Sequence, residues 1–222
     1  SKENNYTPFS VTVTGANEVN VGESIQLSAA VAPKVASQVV TWRVASGQNC
    51  VSVDAEGKVT GLARGEADIV ATSAEKDSVK SEAFKVTVKA PVKELRILDE
   101  NVTLEVGRSM SFAKTTKTDA TKGFFVSPSD TTDKIDWKSS NEGVLQVTQG
   151  TNQSVSVKAL VVGTAELTGI SSSGVRASVV VNVIQKAESI EVDKEVTLNV
   201  GKTHRLNPQK VPATSNEELT YT

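Results

Sequence analysis

Three aspartates lie close together in the stretch "SDTTDKID", at positions Asp130, Asp133 and Asp136. Carboxylates on loops can coordinate Ca²⁺, which takes about six to eight oxygen ligands, and a pair of them can act on a glycosidic bond. Three carboxylates fall short of a full calcium shell, and Lys134 lies among them. We therefore expect a solvated loop here, with a weak calcium site as the alternative.

Other residues with catalytic potential are few. The only histidine, His204, is expected on a solvated strand, and the only cysteine, Cys50, is expected as a small buried hydrophobic residue. A single cysteine excludes an intrachain disulfide. No histidine-based triad, Cys or His metal spacing or glycine-rich phosphate loop is present. The sequence predicts a protein that is not an enzyme and needs no cofactor.

The elements that position these residues recur along the chain. "VNVGESIQLSAAVAP", "LEVGRSMSFAKTT" and "LNVGKTHRLNPQKVP" each place an apolar-x-Val-Gly corner before an alternating stretch. Their glycines are Gly22, Gly107 and Gly201, separated by 85 and 94 residues. A period this long indicates that each repeat is a domain rather than a stacked layer of a solenoid.

A tryptophan follows the first two corners, in "VVTWRV" and "KIDWKS". The inward phase of Trp42 and Trp137 predicts that both lie in a core, with exposed sugar-stacking platforms as the alternative. The corner glycine precedes Trp42 by 20 residues but Trp137 by 30. The second repeat therefore carries about ten extra residues, which we expect near 119–133.

Apolar and polar residues alternate within each repeat. Ile25, Leu27, Ala29 and Val31 share one strand face, and no window has the spacing of an amphipathic helix. About seven short strands in about 90 residues are typical of a two-sheet antiparallel sandwich. The expected fold class is all-β, with tandem immunoglobulin-like β-sandwiches.

The stretch "GKVTGLARGEADIVATS" is interpreted as a corner between two sheets. Val59 and Leu62 are expected to end one core strand, and Gly61 is expected where a neighbouring backbone approaches closely. Gly65 corresponds to Gly163 in "VSVKALVVGTAELTGIS", and both are expected to need a positive φ.

Three domains follow from the repeats. Residues 1–90 form the first, with a polar leader at 1–8; residues 91–186 form a divergent second; and residues 187–222 begin a third that stops after its third strand. We expect the natural polypeptide to continue beyond Thr222, or this last piece to be poorly ordered. The short linkers "VKAPVKEL" and "VIQKAESI" are not flexible Gly/Ser tethers and predict semi-rigid joints.

Charge and hydropathy exclude several partners. The formal net charge is -2, which gives no field that favours nucleic acid, and no run approaches the ~20 apolar residues of a membrane helix. A monomer is expected. The start "SKENNYTPFS" contains no signal peptide but would suit the tail of a lipoprotein leader.

Two adjacent aromatic residues, Phe124 and Phe125, are not explained by the core pattern. Neighbouring strand residues point to opposite faces, so both cannot enter the same core. One of them is expected to cover a neighbouring domain or to offer an apolar contact to a partner.

The first repeat resembles the bacterial immunoglobulin-like domain, group 2, through "VTW", "VSVDAEGKVTGLARGEADIVATS" and "FKVTV". The second repeat departs from this pattern. The resemblance implies an exported, extracellular module of a bacterial surface protein, acting in cell adhesion or as a stalk. It also implies a protein or glycan partner at a cell surface, and calcium in some members. The alternative is an accessory module of a carbohydrate-binding or carbohydrate-processing surface protein.

Overall fold

A computed structural model describes residues 6–222, so residues 1–5 of the expected polar leader lie outside the described part. Those 217 residues contain strands and turns but no helix, and thus no helix long and apolar enough to span a bilayer. The chain divides into two compact units. The first comprises the residues up to Val92 together with Ser127–Asp133, and the second comprises Lys93–Val126 and Lys134–Thr222.

The first unit is a β-sandwich of nine short strands. They are β1 (Ser10–Thr14), β2 (Glu18–Asn20), β3 (Ser24–Gln26), β4 (Ser28–Ala32), β5 (Val40–Ser46), β6 (Val51–Val53), β7 (Lys58–Gly61), β8 (Gly65–Ser73) and β9 (Phe84–Lys89). One sheet has the order β2-β9-β8-β5, a second has β3-β7-β6, and β1 pairs with β4. All pairs are antiparallel except β2 with β9.

The second unit contains the remaining strands. They are β10 (Glu94–Ile97), β11 (Val102–Glu105), β12 (Ser109–Phe112), β13 (Lys114–Thr115), β14 (Phe124–Ser127), β15 (Ile135–Ser139), β16 (Leu145–Gln149), β17 (Val155–Ala159), β18 (Gly163–Ser171), β19 (Arg176–Ile184), β20 (Ser189–Glu191) and β21 (Gln209–Val211). The sheets have the orders β11-β19-β18-β15, β12-β17-β16, β10-β14-β13 and β20-β21. The all-β, immunoglobulin-like fold class is confirmed.

The same connectivity occurs in both units. The four-stranded order β2-β9-β8-β5 corresponds to β11-β19-β18-β15, and β3-β7-β6 corresponds to β12-β17-β16. The parallel pairing of β2 with β9 recurs between β11 and β19. The repeat in the sequence therefore encodes a duplicated topology.

The core of the first unit is built from small aliphatic residues. Eight residues form the main cluster. Four of its members are exposed by 1% or less: Leu27, Val59, Ile69 and Val86. Trp42 is partly buried and packs against this cluster and a second, smaller one. Leu62 is 51% exposed, so the expectation that it ends a core strand is wrong. The chain already leaves the strand at Gly61, and Leu62 therefore lies in the following turn.

The corner glycines share one backbone conformation. Gly22, Gly107 and Gly201 have φ of 83°, 85° and 81°, a region that residues with a Cβ adopt only at a cost. Gly61 is required for a different reason, because a Cβ there would lie 2.6 Å from the carbonyl oxygen of Asn20. Gly65 begins β8, where a Cβ would lie 2.7 Å from the sulfur of Cys50.

The third repeat contributes one two-stranded sheet. β20 pairs antiparallel with β21, in the same relation as β1 with β4. Several apolar side chains around it are exposed, including Ile190 at 56% and Leu198 at 51%.

Candidate contact site around the inserted segment

The extra residues of the second repeat interrupt a strand. In the first unit Leu27 joins β3 directly to β4, whereas in the second unit residues 114–123 separate Ala113 from Phe124. The Phe124 amide donates to the Ala113 carbonyl at 3.0 Å and closes the base of this loop. The insertion thus lies earlier than the predicted 119–133, because residues 124–127 form β14. We call residues 114–123 the inserted loop.

A buried carboxylate holds the end of the inserted loop. Asp99 is 3% exposed, and its Oδ2 accepts the Gly123 amide at 2.6 Å. Its Oδ1 has no hydrogen-bond partner, but the exposed ammonium of Lys122 lies 3.4 Å away. The Leu98 amide also donates to the Gly123 carbonyl at 2.8 Å. Asp99 therefore fixes the loop through a backbone amide and the charge of Lys122.

Phe124 and Phe125 have different surroundings. Phe124 is 0% exposed, and its ring meets that of Trp137 edge to face at a centroid distance of 5.1 Å. It belongs to the core of the second unit, and the prediction of a partner contact at Phe124 is therefore wrong. The alternation along β14 turns Phe124 inward, so only Phe125 remains a candidate contact.

Phe125 is half-buried beneath an arginine. The guanidinium carbon of Arg96 lies 4.9 Å from the centroid of the Phe125 ring, a cation–π distance. The Arg96 Nε lies 2.6 Å from a carboxylate oxygen of Glu94. β10 therefore places one ion pair over the outward face of β14 and covers part of the Phe125 ring.

The three aspartates of "SDTTDKID" have separate partners. The carbonyl of Asp130 accepts the Arg64 guanidinium at 2.6 Å, and the carboxylate of Asp133 accepts the Val92 amide at 2.9 Å. The Asp136 carboxylate lies 3.5 Å from the ammonium of Lys138. Among residues 6–222, no group of three or more His, Cys, Asp or Glu residues is placed to hold a metal ion. The three aspartates thus make separate contacts, and a calcium site here stays an untested alternative to a solvated loop.

Residues 127–133 group with the first unit through backbone hydrogen bonds. The Thr131 hydroxyl donates to the Ala90 carbonyl at 2.6 Å, and the Thr132 hydroxyl accepts the Ala90 amide at 3.0 Å. Arg64 adds its two bonds to the carbonyls of Asp130 and Thr131. The polar residues of this stretch thus serve as hydrogen-bond partners of the backbone.

Trp137 is 2% exposed, and its indole N–H donates to the Gln153 carbonyl at 2.8 Å. Gly169 lies against its ring, where a Cβ would come within 2.7 Å. Trp42 is partly buried in the first unit. Its register partner on β8 is Ala71, and Gly57 of the turn between β6 and β7 lies against its ring. Trp137 therefore presents no open ring face of the kind that sugar stacking requires.

The lone cysteine and histidine have no catalytic partners in the described part of the chain. Cys50 is half-buried, with its sulfur 3.7 Å from the Arg64 carbonyl. It is thus less enclosed than the sequence predicted. His204 is exposed and lies outside the strands.

Sequence reasoning missed Asp99 and Arg96. The signal for Asp99 was an acidic residue two positions after the strand "ELRI", where a carboxylate can accept loop amides. No sequence signal identified the partner amide at Gly123, because 24 residues separate the two.

In the comparisons with known proteins, the family match lies in the first unit. Residues 6–83 match the family described as bacterial Ig-like domain (group 2). A stretch of 74 residues is 45% identical to part of lacto-N-biosidase from Bifidobacterium bifidum. That match covers 33% of this chain and 6% of the relative, so the chain spans a small fraction of the relative's length.

Two solved structures are similar in fold. One is the C-terminal 282-residue fragment of intimin in complex with the intimin-binding domain of the translocated intimin receptor. It has 15% identity and a TM-score of 0.43, over 82% of this chain and 67% of that one. The other is domains 4 and 5 of the S-layer protein SbsC, with 16% identity and a TM-score of 0.34, over 79% and 98%.

Proposed function

Because residues 6–83 belong to the bacterial Ig-like domain (group 2) family, we propose that this chain is a non-catalytic segment of an exported bacterial surface protein. Its role is cell adhesion, or that of a semi-rigid stalk that presents a binding tip. The observation that carries this proposal is the duplicated strand order: two consecutive sandwiches repeat one connectivity.

The side chains that could have bound a metal ion or a sugar support a structural role. The predicted calcium ligands Asp130, Asp133 and Asp136 each have a local partner. Trp137 and Phe124 are enclosed in the core. The Asp133 and Asp136 carboxylates and both aromatic rings thus make local contacts, whereas Asp130 is held through its backbone carbonyl.

The linkers support the stalk in particular. The stretches "VKAPVKEL" and "VIQKAESI" contain no glycine, and the first contains Pro91. Short linkers of this composition restrict the backbone more than Gly/Ser tethers do. A stalk built from such repeats holds its tip at a defined distance from its anchor.

A second candidate function rests on the relative from Bifidobacterium bifidum. The 45% identity over 74 residues shows that a closely similar module occurs within a protein named lacto-N-biosidase. The chain would then be an accessory module of a carbohydrate-processing protein whose catalytic part lies elsewhere.

A binding screen separates these roles. The full chain is applied to arrays of glycans and extracellular-matrix proteins, with Ca²⁺ and with a chelator. A Phe125→Ser variant tests the candidate contact, and Phe9→Ser is the matched control because Phe9 is 72% exposed in the first unit. Both variants are checked for folding by circular dichroism.

Each result of the screen has a distinct meaning. Protein binding that Phe125→Ser abolishes and Phe9→Ser retains supports adhesion by this segment. Absence of binding by the folded chain supports the stalk, and selective glycan binding supports the accessory module. Hydrolysis of an arrayed glycan by the purified chain would contradict the proposal that this segment is non-catalytic.

A further inference from the structure

The edge of β19 is only partly covered. β11 pairs with β19 from Val181 to Ile184 and begins there at Val102. The preceding part of β19, residues 176–180, pairs with β18 on its other side. Within residues 6–222 no strand pairs with residues 176–180 on the side that β11 occupies further along. We call residues 176–180 the open edge.

The register identifies which backbone groups of the open edge are free. At the hairpin the Ser171 amide donates to the Val175 carbonyl at 2.9 Å. Hydrogen-bonded positions alternate in an antiparallel pair, so Ala177 and Val179 bond to β18. Ser178 and Val180 therefore direct their N–H and C=O groups away from β18, toward the open side. Both residues are exposed, Val180 at 48%.

A groove of about 720 Å³ lies beside the open edge in the second unit. β10 supplies Leu95, and the chain after it supplies Leu98; the inserted loop supplies Thr121 and Lys122; and β19 supplies Ala177 and Ser178. β10 pairs with β14 and not with β19, which leaves the backbone groups of the open edge unpaired. The groove thus combines apolar and polar side chains with a row of backbone donors and acceptors.

The first unit shows what the insertion adds. A groove at the corresponding place, between Val11–Val13 of β1 and Glu82–Phe84, measures about 170 Å³. There β9 begins at Phe84, and no inserted loop lines the groove. The larger groove and the longer exposed edge occur together only in the second unit, among the described residues.

Charge restricts the occupant. The Arg96 guanidinium is paired with Glu94 at 2.6 Å, and the Lys122 ammonium with buried Asp99 at 3.4 Å. Each basic side chain of the groove therefore has an acidic partner on the protein. Glu100 adds a further acidic side chain to the lining. The groove therefore offers no unpaired positive charge and disfavours an acidic ligand.

We propose that the open edge binds an extended, non-acidic polypeptide segment of another protein, which adds a strand to β19 in line with β11. Unpaired strand edges bind peptides in this way, through main-chain hydrogen bonds to alternate residues. Ser178 and Val180 supply those bonds, and the half-buried side chains of the groove receive every second residue of the peptide. The proposal does not depend on whether the chain is an adhesin or a stalk.

Amide exchange of the free, isotope-labelled full chain gives the first test. The amides of Ala177 and Val179 should exchange slowly, because they bond to β18, and those of Ser178 and Val180 should exchange fast. Equal protection at all four positions would overturn the proposal, since the edge would then already be paired.

Peptide selection gives the second test. The full chain is used to select binders from short random linear peptides displayed on phage. The selected peptides are then synthesised and titrated into the labelled chain, and binding is followed by nuclear magnetic resonance. Binding should shift and protect the Ser178 and Val180 amides and leave the Lys85 amide of the first unit unchanged. Shifts centred on other residues, or the absence of any selected peptide, would overturn the proposal.

Proline variants test the hydrogen bonds themselves. Ser178→Pro and Val180→Pro each remove one outward N–H without removing a bond to β18, and each should weaken binding about tenfold. Ser178→Thr and Val180→Thr keep the N–H and should bind as the native chain does. Unchanged binding by folded proline variants would contradict the proposal. Dimerisation of the chain through this edge would also contradict it, because the occupant would then be a second copy and not a peptide of another protein.

Discussion

Phe124→Ala is expected to destabilise the second unit severely, whereas Phe125→Ala is not. Phe124 is 0% exposed and lies edge to face with Trp137. Truncating a fully buried phenylalanine costs about 3 to 5 kcal/mol, of which the aromatic pair supplies about 0.5 to 1.5 kcal/mol. Phe125 is half-buried, and its contact with Arg96 contributes about 0.5 to 1 kcal/mol.

Urea unfolding measures this difference, since each unit contains one tryptophan. In a Trp42→Phe background, the fluorescence of Trp137 reports the second unit alone. The midpoint for Phe124→Ala should fall far below that of the parent, and the midpoint for Phe125→Ala should fall slightly. A double-mutant cycle with Trp137→Leu, followed by circular dichroism because that substitution removes the fluorescent reporter, should give a coupling free energy of about 0.5 to 1.5 kcal/mol.

The opposite order of midpoints would refute the reasoning. If Phe125→Ala were the more damaging change, Phe125 rather than Phe124 would be the residue of β14 that faces the core. Phe124 would then return as the candidate surface contact.

Substitutions at three further residues and one chelation experiment test other parts of the structure. Gly61→Ala should cost the first unit about 1 to 3 kcal/mol in urea unfolding, because the new Cβ meets a backbone carbonyl at 2.6 Å; an unchanged midpoint would exclude the close approach. Asp99→Ala should leave the Gly123 amide unpaired at a cost of about 1 to 3 kcal/mol, and Asp99→Asn should recover part of this in the same assay. Arg64→Ala should accelerate proteolysis within residues 127–133, since two carbonyls lose their donor, and equal cleavage rates would show that these bonds are dispensable. A chelator should leave the thermal midpoint unchanged, because the three aspartates of "SDTTDKID" have separate partners; a fall in the midpoint would reveal a calcium site.

Much of the fold could be predicted because it depends on local patterns. The period of two identifies strands, and the recurrence of Val-Gly with positive φ at Gly22 and Gly107 marks one corner in each repeat. The close approach at Gly61 could be predicted because a glycine inside a strand often marks a place where another backbone comes near.

The features that the sequence predicted in the wrong place, or did not predict, depend on contacts between residues distant in sequence. Leu62 is apolar and follows a core strand, yet the chain turns before it and leaves it 51% exposed. The inserted loop was placed too late, because only the pairing of β14 shows that Phe124 resumes the interrupted strand. Ion pairs and loop anchors such as Asp99 with Gly123 have no local sequence signature.

The candidate site was identified only in part for the same reason. Phe124 and Phe125 were recognised as a pair with opposite faces, but the sequence did not say which one enters the core. The open edge of β19 was not predicted at all. It arises from where β11 begins, and pairing between strands almost 80 residues apart is not readable from either strand alone.

Surface labelling tests the proposed function most directly. Cells that make the protein are stained, intact and after lysis, with an antibody raised against the full chain, and a cytosolic marker controls for leakage. An exported surface segment predicts staining of intact cells that brief protease treatment removes. Staining that appears only after lysis would contradict the assignment of this chain to the cell surface.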